Sequence, residues 1–189
     1  TKNTTAKITA QHGLIYHKLI REFGADRARL YLEANQAALE EYRALCQTIG
    51  CDFEEKDAFV YSLDNPNKLE RELTALDRLG FAAEIVEHVP LPFPVAGAVR
   101  FEGQAQFHPL KFIASIVKNL RIFEHTKVLE LAPGKAVTKT GTISAEKIIA
   151  ATHFPLLNKH GGYFLKLYQH RSYVLALKNA PDVHGMYLD

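Results

Sequence analysis

Nine histidines, two cysteines and eleven glycines are the residues whose chemistry depends most on spacing. A histidine metal site needs a second ligand pair or a carboxylate-rich loop close by. His12 and His17 are five positions apart, His153 and His160 seven, and no His-Glu-x-x-His occurs, so no metal site is expected. Phosphate cradling by backbone N–H groups needs a Gly-x-Gly-x-x-Gly or Walker loop. Neither is present in residues 1–189, and Gly161-Gly162 reads as a turn. There is no Gly-x-Ser-x-Gly elbow, and Cys46 gains no general base from its neighbours in sequence, so nucleophilic catalysis has no positive support.

The remaining chemistry lies in hydroxyl, amide, ammonium and guanidinium groups, and the elements that position them follow from periodicity. Residues 14–23 place Ile15, Leu19 and Phe23 on one helical face, with Gly24 set to end the helix in the left-handed conformation. A longer helix is expected over 26–49, with Asp26 as N-cap and Leu30, Ala34, Ala38, Tyr42, Leu45 and Ile49 as its apolar face. Strand formers follow at 58–63, and Asn65-Pro66 opens a helix carrying Leu69, Leu73, Leu76 and Leu79 and closed by Gly80. Strands are expected at 83–87 and 98–102, on either side of a connection through Pro90, Pro92 and Pro94. Pro109 opens a helix with Leu110, Ile113, Val117 and Leu120 on one face. Short strands at 121–124, 127–131, 136–139 and 143–151 come next, with Pro133-Gly134 and Thr140-Gly141 as turns. The fold class implied is α+β, a mixed α/β arrangement.

Of the 189 residues, 47% are hydrophobic and 23% charged, which is ordinary globular usage and excludes a disordered chain or a disulfide-stapled miniprotein. The net charge of +2 is spread along the chain, so a nucleic-acid partner is not expected. No apolar run approaches the roughly 20 residues of a membrane span, so a soluble cytoplasmic protein with no membrane partner is expected. Cys46 and Cys51 lack Cys-x2-Cys spacing and read as reduced, partly buried thiols.

The stretch Thr138 to Pro155, a hairpin turn followed by an apolar strand ending in Ala151-Thr152, resembles a segment of flavoproteins with two dinucleotide-binding regions. It departs from that segment at His153, where glycine is usual, and at Glu146, where Asp is usual. Arg121-Ile-Phe-Glu-His-Thr-Lys-Val128 resembles the strand that meets the adenine ring, and Phe107-His-Pro-Leu-Lys-Phe112 a strand-to-helix transition of the D-amino-acid oxidase and glycine or sarcosine oxidase superfamily. Asn3 to Tyr16 resembles the flavin-approaching segment of a bacterial subgroup of these oxidases, and Tyr163 to Tyr168 with Arg171-Ser-Tyr173 resemble the same subgroup. These five matches follow the family's order.

The resemblance implies FAD as cofactor, a partial FAD/NAD(P)-binding layer and a mixed or antiparallel-sheet substrate domain. It implies a scheme in which 1–25 and 108–155 lie on the FAD side and 26–107 and 156–189 on the substrate side. Cofactor contacts fall on Thr4, Thr5, Lys7, Gln11, His12, Thr126, Lys127, Val128, Ala151, Thr152 and His153, and substrate contacts on Tyr163, Tyr168 and Arg171, whose planar fork suits a carboxylate. Each has a plainer reading: a polar tail for Thr4, Thr5 and Lys7, a helix cap for His12, packing for the tyrosines. The activity implied is oxidation of a C–N bond of an amine or amino acid by hydride transfer to flavin. The alternative is a non-catalytic ligand-binding or interaction domain. Catalytic residues and oligomeric state are not assigned. Family members carry the glycine loop upstream and a second glycine-rich flavin contact downstream, so residues 1–189 are expected to be a central piece that is inactive and binds FAD weakly when isolated.

Overall fold

The computed structural model describes residues 4–152, 162–168 and 173–189. In chain order its elements are β1 (Lys7–Ile8), α1 (Tyr16–Phe23), α2 (Ala25–Cys46), β2 (Glu54–Glu55), β3 (Ala58–Ser62), α3 (Pro66–Leu79), β4 (Glu84–Val86) and β5 (Gly97–Phe101). After these come β6 (Ala105–Gln106), α4 (Pro109–Ile116), β7 (Val128–Ala132), β8 (Lys135–Thr138), β9 (Thr142–Ser144), α5 (Tyr163–Lys166) and β10 (Met186–Leu188). The fold is mixed α and β, as the alternation of periodicities implies. The chain divides into two compact units, residues 1–119 with 181–189, and residues 120–180.

In the first unit a four-stranded sheet runs β10-β3-β5-β4. β3 is antiparallel to β5 with Val60 opposite Val99, and β10 is parallel to β3 with Tyr187 opposite Phe59. All but one residue of β3 and of β5 are buried, so these strands read as apolar runs rather than as alternating ones. α3 lays Leu69, Leu76 and Leu79 into the core with Tyr16, Leu32, Val99 and Phe101. Its start and stop match the expectation: Pro66 occupies the first turn and Gly80 is left-handed at φ 77°, ψ 26°. A second, three-stranded sheet has the order β1-β6-β2.

The long helix is rotated relative to the expected face. Leu30 is 65% exposed and Ala34 and Ala38 lie on the surface, while Ala28, Leu32 and Leu39 are buried. Ala28 and Leu32 pack into the core around α3, Leu39 packs against Ile8 and Ala105, and Arg29 adds hydrogen bonds to the carbonyls of Leu79 (2.6 Å) and Arg78 (3.3 Å) at the end of α3. Asp26 does not cap the helix; it lies in the first turn, and Gly24 ends α1 and begins α2 at φ 84°, ψ 163°, an extended positive-φ conformation rather than the left-handed helical one. Gly24 donates to Ile20 O and accepts from Ala28 N, so one residue serves both helix ends.

The second unit is an antiparallel meander, β7-β8-β9. Its turns fall at Gly134, with φ 72°, and at Thr138–Gly141, where the Thr138 hydroxyl oxygen accepts from Thr140 N and Gly141 N. Residues 121–124 form no strand, and the last strand stops at Ser144 instead of reaching Ala151. Ile143 is 48% exposed and Ile149 89%, so this edge has no apolar layer against it among the described residues. No helix among the described residues is long and apolar enough to cross a membrane.

Candidate functional site

A cleft of about 450 Å³ opens in the first unit, lined by Thr4 and Ala6, by Asp52 and Glu54, and by Gln106 to Leu110. Backbone bonds bring these three stretches together. β6 pairs with both β1 and β2, so that Gln106 stands opposite Lys7 on one side and Glu54 on the other. Phe107 N donates to Ala6 O (3.2 Å) and His108 N to Cys51 O (2.7 Å). At His108 the chain turns into α4: its Nδ1 accepts from Lys111 N (3.3 Å) as an N-cap, and Pro109 fills the first position, where no N–H is needed. Phe107 is backed by Tyr42 and Phe112, with ring centroids 5.4 to 5.6 Å apart, which gives the floor of the cleft a rigid apolar support.

The lining combines apolar residues, Ala6, Phe107, Pro109 and Leu110, with polar ones, Thr4, Gln106 and His108. Two carboxylates, Asp52 and Glu54, also line it. The amide of Gln106 donates to Glu54 Oε2 (2.7 Å) and, with Lys56 beside it, holds the Glu54 carboxyl below the usual range. The Lys111 ammonium, 2.6 Å from Asp52 Oδ2, does the same for Asp52. The lining therefore offers both apolar surface and hydrogen-bonding groups. It does not suit a pyrophosphate, which the two carboxylates would repel. A second cleft, of about 510 Å³, is lined by charged groups including Glu55, Asp57, Glu102 and Asp182 and holds none of the residues singled out from sequence.

Of those residues, Thr4 lines the first cleft. Thr5 is exposed beside it in sequence. Lys7 sends its ammonium to the Tyr187 carbonyl (3.2 Å), where burial lowers its pKa. Gln11 is buried, its side-chain amide donating to Val99 O (2.9 Å). His12 is exposed and pairs with Asn35 Oδ1 (3.1 Å). In the second unit, the Thr126 hydroxyl donates to Glu124 O, Lys127 is exposed, and Val128 opens β7. Ala151 and Thr152 are exposed and in no strand, Tyr163 opens α5 at 47% exposure and Tyr168 is 80% exposed. His153 and Arg171 fall outside the described residues.

Residues 1–188 match the family described as DAO, FAD dependent oxidoreductase. The chain belongs to this FAD-dependent oxidoreductase family. The family's cofactor is FAD. Over its whole length the chain is 37% identical to YhfW of Bacillus subtilis (strain 168), provisionally named a Rieske 2Fe-2S iron-sulfur protein, and spans 40% of that relative. Its fold is similar to that of L-proline dehydrogenase from P. horikoshii (TM-score 0.51, 16% identity, 60% of this chain and 36% of the other). It is likewise similar to glycine oxidase from Geobacillus kaustophilus (TM-score 0.51, 18% identity, 77% and 43%).

Sequence reasoning singled out the Phe107–Phe112 transition but not Ala6, Asp52, Glu54 or Gln106. Only the His108-Pro109 pair carries a local signal, as a cap followed by proline. Glu54 and Gln106 lie in strands of two residues each, and Ala6 and Asp52 directly flank or precede such strands, too short to leave a periodic pattern.

Proposed function

We propose that the full-length protein carrying this chain oxidises the C–N bond of an amine or amino acid. Bound FAD supplies the hydride acceptor for that reaction. The observation that carries the reading is the cleft where the N-terminal segment and the His108-Pro109 transition meet, two segments singled out separately for their likeness to flavin-side elements of amino-acid oxidases. In this reading Ala6, Phe107, Pro109 and Leu110 offer the flavin ring apolar contact, while Thr4, Gln106 and His108 offer hydrogen bonds to its polar edge. Thr5, Lys7, Gln11, His12, Thr126 to Val128 and Ala151 to His153 remain the proposed wider cofactor contacts, and Tyr163, Tyr168 and Arg171 the proposed substrate contacts. The two-sided division at residues 25, 107 and 155 is proposed with them. Pyrophosphate recognition is assigned to parts of the protein other than this cleft.

The names of the two structural neighbours, a glycine oxidase and a proline dehydrogenase, support an amine-bearing substrate. The name of YhfW favours an iron–sulfur cluster as the next electron carrier. The test is anaerobic mixing of the full-length protein with a panel of amino acids and N-methylated amines. Bleaching of flavin absorbance by one of them is expected. Flavin that no C–N substrate reduces would remove the substrate assignment, and a colourless protein that takes up no FAD would favour the non-catalytic binding domain.

A further inference from the structure

The dithiol at the end of α2 lies outside the chemistry assigned so far. Cys46 is the last residue of that helix, and the chain reverses through Gln47 to Gly50 so that Cys51 Sγ comes within 3.2 Å of Cys46 Sγ. Both are free thiols. They differ in access: Cys46 is partly exposed and Cys51 is 1% exposed. We propose that Cys46 and Cys51 are a reversible disulfide site, oxidised by low-molecular-weight disulfides such as that of glutathione, with Cys46 as the entry thiol.

Closure to a bond of about 2.05 Å requires the sulfurs to approach by only about 1 Å, within the reach of small side-chain rotations. The sulfurs are already paired, so the second step is favoured by proximity over any intermolecular reaction. In the first step Cys46 loses its proton to water and its sulfur attacks one sulfur of the small disulfide RSSR, forming Cys46–S–S–R and releasing one thiol, RSH. In the second, Cys51 loses its proton, its sulfur displaces the remaining RS group from Cys46, and a second RSH leaves. Two protein thiols are oxidised and one RSSR is reduced to two RSH. Burial and the neighbouring Cys51 push the Cys46 thiol up to about 12, so little thiolate is present near neutral pH and the first step is slow there, speeding up as pH rises.

The site is coupled to the cleft. The Cys51 carbonyl accepts from His108 N at 2.7 Å, and the next residue, Asp52, lines the cleft with φ at 51° and pairs with Lys111. Any shift of Cys51 toward Cys46 is therefore transmitted to the start of α4.

Oxidised glutathione added in excess to the native chain, followed by alkylation and intact-mass analysis, tests the proposal. The native chain is expected to lose both alkylatable thiols without retaining glutathione. Cys51→Ser is expected to accumulate a single glutathione adduct on Cys46, at least about tenfold above the adduct level of the native chain. Cys46→Ser is expected to keep its buried Cys51 thiol, with far-ultraviolet circular dichroism confirming that both variants fold. A native chain that keeps both thiols, or that holds a stable glutathione adduct with no internal disulfide, overturns the proposal, as does reaction of Cys51 in Cys46→Ser at the rate of Cys46.

Discussion

The carboxylate of Glu72, on α3, caps α1 from across the core: its Oε2 lies 2.6 Å from His17 Nδ1 and 3.0 Å from His17 N, and its Oε1 accepts from Tyr16 N at 2.8 Å. Glu72 is 1% exposed, so two of the backbone donors that open α1 depend on it. Replacement by alanine leaves them buried and unpaired. Glu72→Ala is expected to lower stability by about 2–3 kcal/mol in urea unfolding. Glu72→Gln, whose amide still offers one acceptor, is expected to lose less. Equal losses would show that the carboxylate contributes charge rather than capping.

Tyr16 is wholly buried and donates to Ala10 O, and burial, with Tyr31 and Glu72 nearby, pushes its phenol well above the ordinary value of 10.0. The folded chain therefore keeps a proton that the unfolded chain releases above pH 10, so stability falls as pH rises beyond 10. Lys7, whose pKa is lowered by burial from 10.5, has the opposite slope, because the folded form gives up its proton first. The difference between native and Tyr16→Phe isolates the tyrosine. Tyr16→Phe is expected to be less stable by about 1 kcal/mol at pH 7 and to lose less stability between pH 9 and 11, measured by denaturant titration at each pH.

Gly185 packs directly on Phe59, where a Cβ would stand 2.7 and 2.9 Å from the ring. That ring is also stacked on Tyr187 at 4.8 Å, so it has nowhere to move without disturbing β10. Gly185→Ala is expected to cost about 1–3 kcal/mol, with faster hydrogen exchange in Met186–Leu188 than in β5. Unchanged exchange in β10 would contradict this packing argument.

Leu110 lines the cleft yet is 48% exposed, so a polar residue there is tolerated by the fold. Leu110→Glu places a third carboxylate beside Asp52 and Glu54. In the full-length protein this is expected to weaken FAD binding at least tenfold, equivalent to about 1.4 kcal/mol, with an unchanged unfolding midpoint of the apoprotein. Wild-type FAD affinity in this variant would move the ring away from the cleft.

Much of the first unit was legible where punctuation and periodicity agree. The Asn65-Pro66 start and Gly80 stop of α3, and the strands at 58–62 and 97–101, rest on local residue chemistry that survives packing. The face of α2 was not legible, because the partners that bury Ala28, Leu32 and Leu39, and the Leu79 carbonyl that binds Arg29, lie far away in sequence. The missing strand at 121–124 and the shortened one after Ile143 have the same origin, since β propensity is realised only when another layer covers it. Gln11 shows the limit for the site. Its side-chain amide donates to the Val99 carbonyl in the core, a contact 88 residues away in sequence that no local pattern announces.

The central claim is tested most directly by the visible spectrum of the full-length protein purified without added cofactor, followed by chromatography of what heat releases from it. Flavin absorption bands with FAD released near one per chain are the predicted result. A colourless protein that remains colourless after incubation with FAD would contradict the account.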